Sequence, residues 1–408
     1  MQALRCALAH TRVRAARPHA RAFGTSMARL QELRKTGLYD MHVTNGGKMI
    51  PFAGYSMPLL YDPIGATDSH NYVRKKVGLF DVGHMVQSMF RGVSVGKFLE
   101  YLTPSSLRAL PSHGSTLSVL LNPTGGIIDD TVITKHNRDS FYVVTNAGRR
   151  DEDLKWFAER LEQWNAEQGE RHKVSHQVLE DYGLVALQGP EAAAHLQTLV
   201  DDDLSKLLFG HSAFMKLKGI RVHVARGGYT GEDGFEISIR PPHTEFIASL
   251  LATGPAQWTG LGARDSLRLE AGMCLYGHDL DETIGPVEAG LSWVIGKERR
   301  EPGAAPFIGA ETVLKTLKEG PAKRRIGLVV EGAPAREGMR IFDAEGTKEL
   351  GVVTSGIPSP TLGKNIAMGY ILNGSHKKNT PISVEVRKKM RPAVVTPMPF
   401  VPAKYYRG

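Results

Sequence analysis

A chain of 408 residues that is 41% hydrophobic and 23% charged has apolar material for two or three domain cores and is too apolar to be a disordered polymer. It contains no run of about 18 apolar residues, so no membrane-spanning helix is expected. The formal charge of +9 is front-loaded: Arg5, Arg12, Arg14, Arg17, Arg21 and Arg29 all precede the first acid, Glu32. The nearly balanced remainder gives no argument for nucleic acid.

Residues 1-30 are Arg-rich, acid-free and sprinkled with Ala, Ser and Thr, the composition of a mitochondrial presequence. Arg21-Ala22-Phe23 before Gly24-Thr25-Ser26 resembles a matrix-protease site with a further trimming step. The expected destination is the mitochondrial matrix. Cys6 and Cys274 are the two cysteines, and Cys6 lies in this leader. One remaining thiol excludes an internal disulfide and a cysteine-rich metal centre. Cys274 reads as a small packed hydrophobe.

Along the chain, Thr36 to Pro58 is rich in Gly and aromatics, with a turn at Gly46-Gly47. Val77 to Met89 mixes apolar and polar residues. Strands are expected over 115–121, 127–134 and 140–146, with a glycine turn at 124–126. Leu154, Phe157, Ala158, Leu161 and Trp164 fall at helical spacing, so 151–167 is an amphipathic helix. A strand over 183–188 follows, and Pro190 opens a helix through Val200. Strands 220–225 and 235–239 pair around a glycine turn, and 245–251 and 263–271 are helices. A linker rich in charge, Pro and Ala spans 297–306. Beyond it lie six short strands (326–330, 339–342, 350–354, 366–371, 382–386 and 393–395), the pattern of a small all-β barrel.

The mixture without strict βα alternation predicts an α+β fold with largely antiparallel sheets. The domains are 1-30 as presequence, 31-300 as two intertwined α+β subdomains, and 307-408 as the barrel.

Three stretches carry chemistry. In Gly227-Gly228-Tyr229-Thr230-Gly231-Glu232-Asp233-Gly234 followed by Phe235-Glu236-Ile237-Ser238-Ile239, four glycines precede an alternating strand. If Phe235 packs inward, Glu236 faces the other way, either to solvent or into the space enclosed by the turn, where a carboxylate suits a planar two-donor edge. In Ile127-Ile128-Asp129-Asp130, adjacent strand carboxylates face opposite sides, so one of them points toward a pocket. Arg264 and Arg268 are four apart on one helix face, which is either a salt-bridged surface or a binding face. No Gly-x-Ser-x-Gly nucleophile elbow occurs. His42, His70 and His84 read as ordinary polar residues.

Together these segments resemble the aminomethyltransferase (T-protein) family of the glycine cleavage system. The matching pieces run through nearly all of the chain after the leader. They are Thr36-Gly37-Leu38-Tyr39-Asp40, Gly46-Gly47-Lys48-Met49, Pro51-Phe52-Ala53-Gly54-Tyr55, Leu79-Phe80-Asp81-Val82-Gly83-His84-Met85, Gly125 to Asp130, Leu187-Gln188-Gly189-Pro190, Gly228 to Glu236, Arg264 to Gly277, Thr354-Ser355-Gly356 and Met398-Pro399-Phe400-Val401-Pro402. Gly83 stands where the family often has serine.

The resemblance implies a folate-binding region over 31-300 and a catalytic carboxylate at Asp130. It implies folate contacts at Met85, Tyr229, Glu236, Arg264 and Tyr405, and a supporting role for Arg325. The implied reaction moves the methylene carbon of an aminomethyl group, carried on the dihydrolipoyl arm of H-protein, to tetrahydrofolate, with release of ammonia. Tetrahydrofolate is then a co-substrate, with no metal and no flavin. The partners are lipoylated H-protein and, in the same system, the P- and L-proteins, with no nucleic acid and no membrane. Lys297, Arg299, Arg300, Arg387, Lys388 and Lys389 are candidate contacts for an acidic partner. Folate-binding iron–sulfur assembly factors of this fold carry Lys-Gly-Cys-Tyr-x-Gly-Gln-Glu, and 272–278 lacks it. Sarcosine-type dehydrogenases need a flavin domain, and the chain has no Gly-x-Gly-x-x-Gly.

Overall fold

The computed structural model describes residues 32–408. The presequence expected at 1-30 lies outside the described residues.

Two sheets share the first part of the chain, and the chain visits them out of order. A six-stranded sheet runs Ser212–Leu217, Ile220–Arg226, Gly234–Ile239, Gly183–Gln188, Val77–Asp81, Ala256–Trp258. All its pairings are antiparallel except the last. A five-stranded antiparallel sheet runs Ser115–Leu121, Ile127–Asn137, Ser140–Thr145, Val86–Arg91, Ser175–Val178. The sequence shows Val77 to Met89 as one undivided stretch. In the structure Val77–Asp81 belongs to the first sheet and Val86–Arg91 to the second. The crossing turn places Asp81, His84 and Met85 at the junction.

Phe235, Ile237 and Ile239 pack into the core of the six-stranded sheet with Leu196, Ile247 and Leu251 from its covering helices. The opposite face of that strand meets the other sheet. Phe80, Val82, Met89, Tyr142, Val144, Leu184 and Ala186 form an apolar layer there with Ala263 and Leu267 of helix Leu261–Glu270. Ser238 is buried in it, its Oγ donating to Gln87 Oε1 at 2.6 Å, where Tyr142 OH also donates. The polar side of the strand therefore faces a sheet-to-sheet seam, and the solvent alternative for it falls.

Six strands close the barrel in the order Lys323–Val330, Lys364–Leu372, Glu349–Ser359, Arg340–Asp343, Pro381–Val386, Lys389–Thr396. Buried ions join it to helix Leu261–Glu270. Arg268 bonds Asp279 Oδ2 at 2.6 Å and Ser355 Oγ at 2.9 Å, and Thr354 Oγ1 donates to Asp279 Oδ1 at 2.5 Å. Glu270 accepts from Ser359 at 2.5 Å, Thr361 at 2.7 Å and Arg74 at 2.7 Å. With His70 Nε2 at 3.2 Å, the hydroxyl bonds hold Glu270 ionised, its pKa pushed down to about 2 despite burial.

Some expectations change. The helix after Pro190 is only Ala192–Gln197, with Glu191 preceding it, because the chain turns at Thr198 toward Val200, which bridges Leu217. Helices Ala66–Lys75, Val95–Leu102 and Ala310–Glu319 are additional. Val95–Leu102 is a short amphipathic helix that the sequence reading passed over, with Val95, Phe98, Leu99 and Leu102 buried and Lys97 exposed. In the linker, Arg299 is buried on Glu100, with a 2.7 Å bond to its carbonyl, so it is no free contact for an acidic partner.

Replacing Arg268 by Met would strand the fully buried Asp279 carboxylate without its cation. We expect a loss of about 3–5 kcal/mol in urea unfolding; a change near zero would refute this role for the pair.

Candidate active site

The glycine turn is built against Gln188. A Cβ on Gly228 would meet Gln188 Oε1 at 1.9 Å, so only glycine allows that approach. Gln188 Nε2 donates to Gly227 O at 2.9 Å, and its Oε1 accepts from Thr230 Oγ1 at 2.9 Å. The chain's last residues fasten the turn from outside the barrel. Lys404 N–H bonds Gly231 O at 2.8 Å, and its ammonium reaches Glu232 at 3.1 Å. Arg226 pairs with Asp233 and lies over the Tyr406 ring at 4.1 Å. So held, the turn directs Tyr229 inward, where its hydroxyl donates to Cys274 O.

Arg264 lies over the Tyr229 ring, its guanidinium 4.7 Å from the centroid. Among the described residues neither Arg264 nor Glu236 makes a side-chain hydrogen bond or ion pair. Burial pushes the Glu236 carboxyl up, an effect reduced by Arg264; burial pulls Arg264 down, with Tyr229 and Glu236 opposing. His84 lies beside them. It is buried, its Nδ1 has no partner, and burial with the nearby Arg264 charge brings it down to about 4, against the opposing pull of Asp81. Its ring meets Phe52 edge-on at 5.6 Å. Met85 packs on the apolar layer of the seam.

The aspartate pair enters from the five-stranded sheet. The hairpin turn before it is tight: a Cβ on Gly126 would stand 1.7 Å from Glu282 O. Neighbouring strand residues diverge, yet both carboxylates converge on one amide. Asn146 Nδ2 donates to Asp129 Oδ1 and to Asp130 Oδ1, each at 2.9 Å, and Asn146 N–H donates to Asp129 Oδ2 at 2.8 Å. Asp129 is fully buried. Asp130 keeps some accessible surface, and burial and the Asp129 charge push it up to about 7, with the Asn146 bond opposing. Tyr229 feels the charges of Asp130 and of Arg264, which links the two halves of the site.

A family described as the GCVT N-terminal domain matches residues 38–299, and the glycine cleavage T-protein C-terminal barrel domain matches 323–402. The chain belongs to the glycine cleavage T-protein family. A probable mitochondrial aminomethyltransferase of Schizosaccharomyces pombe is 48% identical over 385 residues, covering 94% of this chain and 97% of that one. The mitochondrial aminomethyltransferase of Pisum sativum is 48% identical over 379 residues, covering 92% and 91%. That of Saccharomyces cerevisiae is 47% identical, covering 92% and 96%. The crystal structure of glycine cleavage system aminomethyltransferase T from Bartonella henselae superposes with a TM-score of 0.84 at 36% identity, covering 92% of this chain and all of that one. The α+β fold with its terminal barrel is the one expected, and this T-protein family member is an aminomethyltransferase.

Of the residues singled out in the sequence, Tyr229, Glu236, Arg264, Met85 and Asp130 gather around the seam. Tyr405 stacks on Phe209 at 4.1 Å, beside the Lys404 strap. Arg325 sits at the barrel joint, donating to Ala289 O at 2.7 Å and Gly272 O at 3.0 Å. Arg268, on the same helix face as Arg264, is taken up by Asp279. Asn146 and His84 are the site residues that sequence reasoning passed over. Asn146 closes the strand expected over 140–146, next to Thr145, and that position was its only signal.

The raised Asp130 sets a pH-dependent stability term. A carboxyl that titrates near 7 when folded and at 3.8 when unfolded binds a proton preferentially in the folded state. Its contribution is fully present below the unfolded value and is lost as pH rises through the folded one. The urea midpoint of Asp130→Asn should therefore gain on wild type between about pH 4 and about pH 7 and level off above. The buried histidines cancel in this difference, and a pH-independent difference would refute the shift.

Proposed function

We propose that this aminomethyltransferase performs its transfer at the seam, with Asp130 as the catalytic carboxylate. The observation that carries the reading is the pair of half-buried, opposite, partnerless charges, Glu236 and Arg264, beside Tyr229 at the seam. A charge drawn partly out of water without a partner is costly, and a ligand with a two-donor edge and an anionic or carbonyl oxygen satisfies both. The amino-pyrimidine edge of tetrahydrofolate suits Glu236, a folate oxygen suits Arg264, and Met85 and Tyr229 offer apolar surface to the ring system. Tyr405 and the strap close the outer end, and Arg325 supports the site by fixing Gly272.

The donor is the aminomethyl group on the dihydrolipoyl sulfur of H-protein. Two folate nitrogens form bonds to the methylene carbon while its bonds to nitrogen and sulfur break. The two folate N–H protons leave, one with ammonia and one on the sulfur. A carboxylate titrating near neutrality can take such a proton and return it, and its charge steadies the cationic carbon between the two bonds. Holding donor and acceptor together supplies the remaining acceleration. Matrix location, a presequence over 1-30, a division of the remainder into 31-300 and 307-408, and work alongside the P- and L-proteins complete the proposal. The mitochondrial names of the relatives and the Arg-rich leader support them.

Turnover with aminomethylated H-protein and tetrahydrofolate, scored by ammonia release, is the direct test. Asp130→Asn should cut it by about 10²–10⁴-fold with folate still bound; unchanged turnover removes Asp130 from the mechanism. Glu236→Ala should weaken tetrahydrofolate binding by about 10–100-fold in calorimetry. Equal affinity for the two proteins would reject the pterin-edge role.

A further inference from the structure

Behind Asp130 lies a second carboxyl contact that the transfer itself does not use. Asp153, in the first turn of helix Arg150–Ala166, is fully buried. Neither of its oxygens has a donor partner, and the neighbouring Thr145 Oγ1 is also unpartnered. The helix N–H groups at that turn do not reach it. Its carboxyl lies against that of Asp129.

Two facing carboxylates away from water cannot both be ionised; such a pair keeps a proton. The donors decide who holds it. Both oxygens of Asp129 already accept N–H groups from Asn146, at 2.8 and 2.9 Å, which favours its anion. Asp153 has no N–H donor and only the Thr145 hydroxyl beside it, with no hydrogen bond formed, which favours its acid. We propose that Asp153 is a positioning residue for Asp130: it stays protonated, donates its O–H to Asp129, and so keeps Asp129 ionised on the Asn146 amide that grips Asp130.

Burial raises Asp153 to about 7, with the Asp129 and Thr145 contacts and Arg149 opposing; burial and then Asp153 raise Asp129 more, so the pair as a whole keeps a proton, and it is the two Asn146 N–H groups on Asp129 that place that proton on Asp153. Other charged and titratable groups face the cluster from every side. From the helix side come Glu152 and Arg149, the latter bonded to Ile128 O at 3.1 Å and to Glu282 at 2.5 Å. From the 273–280 segment come Cys274 and Tyr276, and from the glycine turn Tyr229, all held neutral by burial. Asp281 and Glu282 act from beyond Tyr276. None of these donates to Asp153, so the Asp129 contact is its outlet. The inference rests on the reading of Asp130 as the catalytic group.

Two measurements on the full chain test it. Infrared spectra at about pH 6.5 of Asp130→Asn protein, which lacks the Asp130 signal, should contain a buried protonated-carboxyl band. Adding Asp153→Asn should remove that band, and its survival overturns the proposal. The second measurement is the pH–rate profile. Asp153→Asn keeps a donor for Asp129 and should leave the acid limb within about 0.3 pH unit of wild type. Asp153→Val has none, so Asp129 takes up a proton, its charge beside Asp130 disappears, and the limb moves down by about one unit. A Val variant with the wild-type limb overturns the proposal, as does an Asn variant that behaves like Val. Should Val not fold, the infrared arm and the Asn profile still decide. Full turnover in Asp130→Asn would sink the catalytic reading, and the positioning claim with it, whereas the spectrum alone decides whether the pair keeps a proton, and an acid limb that moves up in the Asn or Val variant would place that proton on Asp129 and overturn the proposal.

Discussion

One helix carries two arginines a single turn apart, and the protein treats them oppositely. Arg268 is buried and saturated by Asp265, Asp279, Ser355 and the Met273 carbonyl. Arg264 is given an aromatic ring to lie on and no anion to bond. The rule that a buried charge needs a partner thus does two things with the same residue type. Satisfied internally, it locks the barrel to the sheets. Left open, it specifies what must arrive from outside. The seam between the sheets depends on that contrast, because the helix is fixed in place by Arg268 and Glu270 while presenting Arg264 to the gap.

The parts of the fold legible in the sequence were those whose signal is local. Alternation in Phe235-Glu236-Ile237-Ser238-Ile239 gave the strand, and glycine-punctuated short strands gave the barrel. What alternation does not encode is the nature of the polar side. Ser238 and Glu236 look like solvent-facing residues because seam and solvent select the same residue types. The change of sheet between Asp81 and Val86 is invisible for a related reason: both strands are buried on both faces, so no alternation marks the crossing.

The candidate site was legible through resemblance more than through spacing. From spacing alone Asp129 and Asp130 diverge, and the convergence on Asn146 depends on a register shift at Leu120/Leu121 and on the end of the neighbouring strand. Both are tertiary facts. The difference between the two acids is also tertiary: Asp129 is sealed by its bonds, and Asp130 alone keeps an open oxygen toward the seam. His84 looked like an ordinary polar residue, yet burial between Phe52 and Arg264 keeps it neutral, so it adds no positive charge beside Arg264.

Gly231, Asp233 and Phe209 are all held by residues 404–406, and Gly408 closes on Leu208. The pocket's turn lies more than 160 positions upstream of its own fastener. Both sheets therefore precede the clasp in chain order, and the binding cleft is complete only once residues 404–406 have reached it. An affinity tag fused directly after Gly408 would sit on that clasp and compete with the turn for residues 404–406.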